Sequence, residues 1–312
     1  CLQYVLTHIS ESMSRVLVTG ANGQIGSELV EALGTRYSAE RVVRLDLVPP
    51  STANEPVQNG AASSGPFEVA DVRDRSTLAA VMEAYDVKVV YHLASLLSAS
   101  GEQQPDRTWD VNMTGLKNVL DLARTRDVRV FWPSSIAVFG PSTPTENTPQ
   151  QTVLDPTTIY GVTKRSGELL CRYYHRRYGI DVRSLRYPGT TDYAVEMFGR
   201  AVNGEPYACF LEPEARLPMM YMPDAIRATL ALMDADGETL TVRESYNVGG
   251  VCFSPEELAA AIRRRVPNFD CRYAPDERQQ IADAWPSSID DTAARSDWRW
   301  TPEYDVEAMF DD

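Results

Sequence analysis

Tyr160 and Lys164 stand four residues apart in the segment IYGVTK, so a helix would place both side chains on one face. Free tyrosine has a pKa of about 10, but a neighbouring ammonium group stabilises the phenolate and lets the ring act as a base. A serine hydroxyl follows an apolar segment 25 residues before Tyr160, at Ser135, and Ser134 beside it competes for the same role. These residue types predict proton removal from a substrate alcohol, although a tyrosine and a lysine at this spacing are also common on solvated helices.

Three glycines, Gly20, Gly23 and Gly26, lie in TGANGQIG, between a β-branched run and an amphipathic segment. Glycines there allow a tight turn and a close approach of the backbone to a pyrophosphate, whose charge suits a helix N-terminus. Asp46 follows Gly26 by 20 residues, where a carboxylate accepts hydrogen bonds from the ribose hydroxyls and repels a 2′-phosphate. The loop therefore predicts dinucleotide binding, with NAD favoured over NADP. Asp71 suits either a contact with the adenine amino group or a plain turn cap.

Around these residues, strands and helices alternate along the first part of the chain. Helical spacing and β-branched runs predict strands at Arg15–Thr19, Arg41–Leu47, Phe67–Ala70, Val87–Leu93, Val128–Pro133 and Val182–Tyr187, and helices at Gln24–Leu33, Ser76–Tyr85, Thr108–Arg126 and Thr158–Tyr178. Such alternation is typical of an α/β fold with a doubly wound parallel sheet, the Rossmann type. A long loop, Val48–Pro66, is rich in Pro, Ser, Asn and Gly, and beyond Pro188 shorter pieces predict a smaller C-terminal α/β lobe.

Composition excludes several classes of function. The formal net charge of −14 disfavours nucleic acid and anionic lipid as partners, while 43% hydrophobic and 24% charged residues are ordinary for a globular protein. No apolar run approaches the roughly 20 residues that span a bilayer. The five cysteines are widely spaced, which predicts a reducing compartment and a cytoplasmic location. The three histidines are far apart and no Cys/His cluster occurs, so no metal site is predicted.

The motifs TGANGQIG, HLAS at residues 92–95, SSIAVFG at 134–140 and YGVTK at 160–164 resemble those of the extended short-chain dehydrogenases/reductases, which include nucleotide-sugar epimerases and dehydratases. The resemblance implies a Rossmann domain, bound NAD and a catalytic set of Ser135, Tyr160 and Lys164. It also implies that Asn112 is a structural asparagine beside the site and that Tyr187 lies against the nicotinamide.

Later segments, including RYPG with TTDYAVEMF, SYNVGGVCFSPEEL and WPSSIDDTAARSDWRW, resemble the NAD-dependent L-threonine 3-dehydrogenases of the epimerase-like type. This resemblance implies oxidation of L-threonine at its β-carbon to 2-amino-3-ketobutyrate, with hydride passing to NAD and tyrosine as the base. It further implies a homodimer that pairs through the helix bearing Tyr160. One departure is that similar enzymes carry a Gly-rich loop between YPG and TTDY, whereas here Gly189 directly precedes Thr190.

The same resemblance implies a set of ligand contacts. Those to the cofactor are Gly20, Asn22, Gly23, Gln24, Ile25, Gly26, Asp46, Asp71, Val72, Leu93, Ala94, Ser95, Asn112, Tyr160, Lys164 and Tyr187. Those to the substrate are Ser98, Ser134, Tyr160, Gly189, Thr190 and Thr191. Residues 14–188 and 219–250 are assigned to the NAD-binding Rossmann domain, and residues 189–218 and 251–312 to a substrate-binding lobe.

Two alternatives are open. A nucleotide-sugar 4-epimerase or dehydratase would use the same tyrosine and NAD, and several arginines are available for a diphosphate: Arg216, Arg263, Arg264, Arg265 and Arg272. A dehydratase, however, should carry threonine in place of the serine, followed by a pair of acids, whereas SSIA occurs here. A non-enzymatic NAD-sensing module would predict loss of Tyr160 or Lys164, and both are present.

Overall fold

A computed structural model describes residues 15–50, 65–189 and 193–311 of the chain, and the backbone alone at Ala99 and Asp311. Most of the predicted loop Val48–Pro66, and both Thr190 and Thr191, lie outside the described residues.

The strands of the described residues are β1 (Arg15–Thr19), β2 (Val42–Asp46), β3 (Phe67–Val69), β4 (Val87–His92), β5 (Arg129–Phe131), β6 (Ser134–Ser135), β7 (Val182–Arg183), β8 (Leu185–Tyr187), β9 (Tyr207–Cys209), β10 (Leu217–Met219), β11 (Tyr246–Asn247), β12 (Val251–Phe253) and β13 (Cys271–Tyr273). The helices are α1 (Gln24–Tyr37), α2 (Arg75–Ala84), α3 (Ser98–Gln103), α4 (Pro105–Trp109), α5 (Gly115–Arg126), α6 (Ile159–Tyr178), α7 (Tyr193–Val202), α8 (Met222–Asp234), α9 (Pro255–Arg265), α10 (Glu277–Asp283), α11 (Thr292–Trp298) and α12 (Ala308–Asp311). A π-helical turn, Asp110–Thr114, separates α4 from α5, and 3-10 turns occupy Ala39–Arg41 and Ile136–Val138.

Six strands form one parallel sheet in the order β3-β2-β1-β4-β5-β7. The order reverses direction between β1 and β4, which is the topology of a doubly wound Rossmann sheet and confirms the predicted fold class. Leu17, Val43, Val90 and Val130 in its strands are fully buried, as expected for a parallel sheet covered on both faces. In such a sheet, ligands bind beyond the carboxyl ends of the strands at the point where the order reverses.

Two predicted elements are divided in the structure. The predicted helix Thr108–Arg126 contains the π turn Asp110–Thr114, and the predicted strand Val182–Tyr187 stops at Ser184. Val182 and Arg183 pair with β5, whereas β8 lies between β6 and β11 in a separate parallel sheet. The strand prediction was wrong because a short β-prone segment does not reveal a change of pairing partner. The helix prediction was wrong because helical spacing of apolar residues does not reveal a π turn.

The backbone divides into two units, each with its own core. The first contains the described residues up to Pro133 together with Ser166–Ser184, and the second contains Ser134–Arg165 and the residues from Leu185 onward. The first core lies around the six-stranded sheet, and the second joins α7, α9 and strands β9, β10, β12 and β13. The domain boundaries given under Sequence analysis stay a prediction.

Candidate active site

The turn after β1 requires glycine at two of its positions. Gly20 has a φ of +71°, in the left-handed region that favours glycine, and a Cβ added there would lie 2.7 Å from the backbone nitrogen of Ala94. A Cβ at Gly26 would lie 2.1 Å from the carbonyl oxygen of Gly20. The first turn of α1 therefore packs directly on the end of β1, which only a residue without a side chain allows.

This turn leads into an open helix N-terminus. Gly23 caps α1 without any side-chain hydrogen bond, and Asn22, Gly23 and Gln24 are exposed, while Ile25 is partly buried. The first N–H groups of a helix have no partner within the helix and carry partial positive charge. A backbone cradle with uncapped N–H groups fits the pyrophosphate of a dinucleotide.

Asp46 ends β2 beside this cradle. Its carboxylate accepts hydrogen bonds from the backbone nitrogens of Asn22, at 2.9 Å, and Leu47, at 2.7 Å. The Asn22 side chain in turn donates to the carbonyl oxygen of Val48 at 2.7 Å. These bonds hold a negative charge at the place where a ribose 2′-hydroxyl is bound in Rossmann folds.

Asp71 forms an ion pair that the sequence analysis did not predict. The guanidinium of Arg73 contacts its carboxylate at 2.6 Å and reaches Asp110 at 2.7 Å. The hydrogen bond from Arg73 holds the pKa of Asp71 below its usual value. Val72 is buried, and its carbonyl oxygen accepts a hydrogen bond from Asn118 at 3.0 Å. Sequence reasoning passed over Arg73, although a cation two residues after an acid is a local signal for such a pair.

Asn112 fixes the loop that follows β4. Its side-chain amide pairs with both backbone groups of Leu96: the oxygen accepts from the nitrogen at 2.8 Å, and the Nδ2 donates to the carbonyl oxygen at 3.1 Å. The loop carries Leu93, Ala94 and Ser95, all partly buried, and leads to Ser98 at the start of α3. A buried amide that satisfies both backbone groups of one residue fixes that residue in place. That Asn112 lies beside the ligand stays a prediction.

In the second unit, the Ser135 side chain is hydrogen-bonded to that of Tyr160. Ser135 ends β6 and also accepts a hydrogen bond from the nitrogen of Ala137 at 3.2 Å. Tyr160 lies in the first turn of α6, and the Lys164 Nζ is 5.4 Å from the centroid of its ring, over the ring face. All three predicted catalytic residues therefore come together. Ser134, the competing serine, is buried at the preceding position.

Burial determines the acidity of the tyrosine. Removal from water raises the pKa of Tyr160 to about 12, because the phenolate loses hydration, and the hydrogen bond from Ser135 acts in the opposite direction. Lys164 is 3% exposed, so its amino group lies close to the ring where there is little water. A tyrosine in this environment suits a base that ionises only when further positive charge lies near its ring.

Two predicted contacts lie next to these residues in the sheet formed by β6, β8 and β11. Tyr187 stands opposite Ser135 in the register, is buried, and hydrogen-bonds through its hydroxyl to Thr229. Burial raises the pKa of Tyr187 above its usual value. Sequence reasoning missed Thr229, which no local pattern connects to Tyr187. A Cβ at Gly189 would lie 2.6 Å from the sulfur of Met219, so the flexible Met219 side chain would have to move to admit one.

Each arginine considered for a nucleotide diphosphate forms an ion pair with a carboxylate. Arg216 pairs with Glu257, Arg263 with Glu256, both Arg264 and Arg265 with Glu307, and Arg272 with Asp270. Each of these arginines thus has a carboxylate partner, and Glu307 serves two of them.

The described residues contain no group of three or more His, Cys, Asp or Glu side chains placed to hold a metal ion. None of the helices in the same residues combines the length and apolarity that a membrane span requires.

Comparison with known proteins places the chain in a family. Residues 16–249 match the model of the NAD dependent epimerase/dehydratase family. The chain belongs to this family. Its cofactor is therefore NAD, and the residues of the glycine turn fit that cofactor, because their backbone leaves an open cradle with uncapped N–H groups and Asp46 beside it.

Among solved structures, this member of the family is 51% identical to the GalE-like L-threonine dehydrogenase from Cupriavidus necator in its holo form, with a TM-score of 0.91 over 96% of this chain and 98% of that one. It is 46% identical to a monomeric L-threonine 3-dehydrogenase from a metagenome, with a TM-score of 0.89 over 95% of this chain and 96% of that one. An uncharacterized epimerase/dehydratase of Staphylococcus aureus is 44% identical over 95% of this chain and 94% of its own length.

These comparisons confirm the predicted resemblance, the Rossmann fold and the oxidoreductase class. The individual ligand contacts stay predictions.

Proposed function

We propose that this chain oxidises L-threonine at its β-carbon, giving 2-amino-3-ketobutyrate and NADH. The observation that carries the chemistry is the hydrogen bond between Ser135 and Tyr160, with the ammonium of Lys164 over the tyrosine ring. The substrate is supported by the similarity to L-threonine dehydrogenases at 51% and 46% identity.

NAD is held in this proposal by the glycine turn, by Asp46 and by the loop that Asn112 fixes. The backbone N–H groups at the start of α1 bind the pyrophosphate, and the Asp46 carboxylate accepts hydrogen bonds from the ribose. When bound, NAD supplies the acceptor for the hydride and a positively charged ring.

Tyr160 acts as the base for the substrate hydroxyl. As phenolate it accepts the hydroxyl proton. The single O–H of Ser135 donates to the phenolate before the transfer and to the substrate oxygen afterwards, where it orients that oxygen and stabilises the developing alkoxide charge. Lys164 stabilises the phenolate, since its buried ammonium lies over the ring face. Ser98, Ser134, Gly189, Thr190 and Thr191 are the proposed contacts for the amino-acid part of the substrate.

A nucleotide-sugar substrate is less well supported. A diphosphate would have to compete with the carboxylates that already pair with the five arginines considered for it. The similarity to L-threonine dehydrogenases supports a small substrate with a secondary hydroxyl instead.

The first experiment follows NADH absorbance with purified protein, NAD and L-threonine, with D-threonine, L-serine and NADP as controls. Steady NADH formation with L-threonine is expected, and it should be weak with the controls. The Tyr160→Phe variant should lose turnover while its NAD affinity, measured by calorimetry, stays near that of the wild type. Wild-type activity in this variant, or NAD binding without NADH formation in the wild type, would contradict the proposal.

A homodimer and a cytoplasmic location stay predictions. Leu169 and Tyr173 on α6 are exposed at 39% and 52%, which leaves an apolar surface on the helix that the resemblance places at the dimer interface. One similar structure is that of a monomeric enzyme. The mass of the protein in solution, measured by light scattering, tests the dimer.

A further inference from the structure

Arg186 is one of the largest fully buried side chains among the described residues, at 2% exposure. It lies in β8, and its Nη1 donates to the carbonyl oxygen of Gln150 at 3.1 Å and to the Oδ1 of Asn247 at 3.0 Å. Its guanidinium carbon is 5.5 Å from the centroid of the Phe139 ring. A buried guanidinium is costly in free energy, and an apolar side chain of similar size often packs equally well, so its presence calls for another explanation.

Gln150 and Asn247 continue the network. The backbone nitrogen of Asn247 donates to the Oε1 of Gln150 at 2.8 Å, and the Nδ2 of Asn247 donates to the carbonyl oxygen of Thr148 at 3.1 Å. The Gln150 Nε2 donates to the carbonyl oxygen of Ser245 at 2.8 Å. The oxygen of the Gln150 side chain is thus bound to β11, and its nitrogen is bound to Ser245, the residue before β11. The main-chain carbonyl of Gln150 is bound to Arg186 in β8.

The network contacts both the strand that carries Ser135 and the connection that leads to Tyr160. In the sheet, Arg186 stands opposite Ser134 on one side and Asn247 on the other, one residue before the position that faces Ser135. Gln150 lies in the connection between Ser135 and Tyr160, residues 136–159, which forms no regular strand or α-helix before Ile159. Such a long irregular connection depends on contacts with the rest of the fold for its position.

We propose that Gln150, Arg186 and Asn247 are positioning residues, which hold the strand of Ser135 and the connection to Tyr160 so that the two hydroxyl groups remain hydrogen-bonded. Arginine suits this role because one guanidinium nitrogen donates to two acceptors while the planar face packs on an aromatic ring. The compact ammonium of lysine has no such planar face. The inference rests on the proposed function, since it assigns these residues to the hydroxyl chemistry of the same site.

The test uses two matched pairs of variants in the full chain. Arg186→Lys is compared with Arg183→Lys, since Arg183 is also buried but bonds to Asp181 in the six-stranded sheet. Gln150→Ala, the milder change, is compared with Gln151→Ala, since Gln151 is its exposed neighbour. Circular dichroism and thermal unfolding show which variants fold. If Arg186→Lys does not fold, the comparison of Gln150→Ala with Gln151→Ala still tests the proposal.

Two properties are measured. With L-threonine and NAD, Arg186→Lys and Gln150→Ala should lower kcat by roughly 10-fold to 100-fold, as small misplacements of reacting groups do, with the KM for NAD nearly unchanged. In protein labelled with ¹³C at the tyrosine Cζ, the Tyr160 signal, identified by its absence in Tyr160→Phe, should move in these two variants and stay in place in both controls. This signal needs no substrate and reports on the hydrogen bond from Ser135.

Wild-type kcat and an unmoved Tyr160 signal in both test variants would overturn the proposal. Equal movement of the signal in tests and controls would also overturn it, because it would indicate a general disturbance of packing. If the wild-type protein forms no NADH from L-threonine, the proposed function fails, and the Tyr160 signal still decides whether the three residues position the pair.

Discussion

The hydrogen bond between Ser135 and Tyr160 sets how readily the tyrosine loses its proton. Burial raises the pKa of Tyr160 to about 12, and the bond from Ser135 lowers it. Ser135→Ala removes a hydrogen bond to the charged phenolate, which contributes about 1.5–3 kcal/mol. Because one pKa unit corresponds to about 1.36 kcal/mol, the pKa of Tyr160 should rise by about 1–2 units relative to the wild type.

The sign of the effect on activity follows from the role of the base. Only the phenolate accepts the substrate proton, and below the pKa its fraction falls about tenfold with each pH unit. Ser135→Ala should therefore move the acidic limb of the kcat–pH profile to higher pH by about 1–2 units, and lower kcat at neutral pH by about 10-fold to 100-fold. The assay is NADH formation at saturating NAD and L-threonine, between about pH 6 and about pH 10.

Ser135→Thr is the matched control, since it keeps a hydroxyl at the same position and should keep the limb close to that of the wild type. A lower kcat in Ser135→Ala with an unmoved limb would refute the reasoning. It would mean that Ser135 acts on the substrate alone and has no part in the ionisation of Tyr160.

Asp46→Ala removes the carboxylate bonded to the Asn22 nitrogen, and it should raise the KM for NAD by about 10-fold to 100-fold and relax the exclusion of NADP. The ratio of kcat/KM for the two cofactors measures this, and an unchanged ratio would count against Asp46. Asp224→Asn should destabilise the fold by about 2–4 kcal/mol, because the buried carboxylate accepts hydrogen bonds from the nitrogens of Glu303 and Tyr304 and from Arg227. Denaturant unfolding checks it, with the exposed Asp234→Asn on the same helix expected to change little.

The elements of the Rossmann sheet were predictable because their signals are local. Helix α6 was predicted at Thr158–Tyr178 and lies at Ile159–Tyr178, since its apolar residues recur at helical spacing. The glycine turn was predictable for the same reason, because a strand, three glycines and a helix follow one another within a short segment. The Ser135, Tyr160 and Lys164 set required more than spacing, and the resemblance to a family supplied it.

Contacts between distant parts of the chain were not predictable. The strand break at Ser184 depends on which neighbour each half pairs with, and the apolar pattern is the same on both sides. Thr229 meets Tyr187 and Arg186 meets Gln150 across 42 and 36 residues of sequence, and no periodicity connects residues at such separations. Local patterns predict elements, whereas these bonds depend on how the elements pack.

The π turn at Asp110–Thr114 makes the helical segment from Pro105 to Arg126 sensitive to any change in its length. A π turn takes in one more residue than an α turn, so the helices on either side are out of phase by about 100° relative to an unbroken α-helix. Deletion of a single residue there would let α4 and α5 fuse into a regular helix. The fusion would cost little in the helix itself, yet it would rotate the amide of Asn112 away from Leu96 and release the loop after β4. Insertions and deletions between Pro105 and Arg126 are thus constrained by a bond outside the helix.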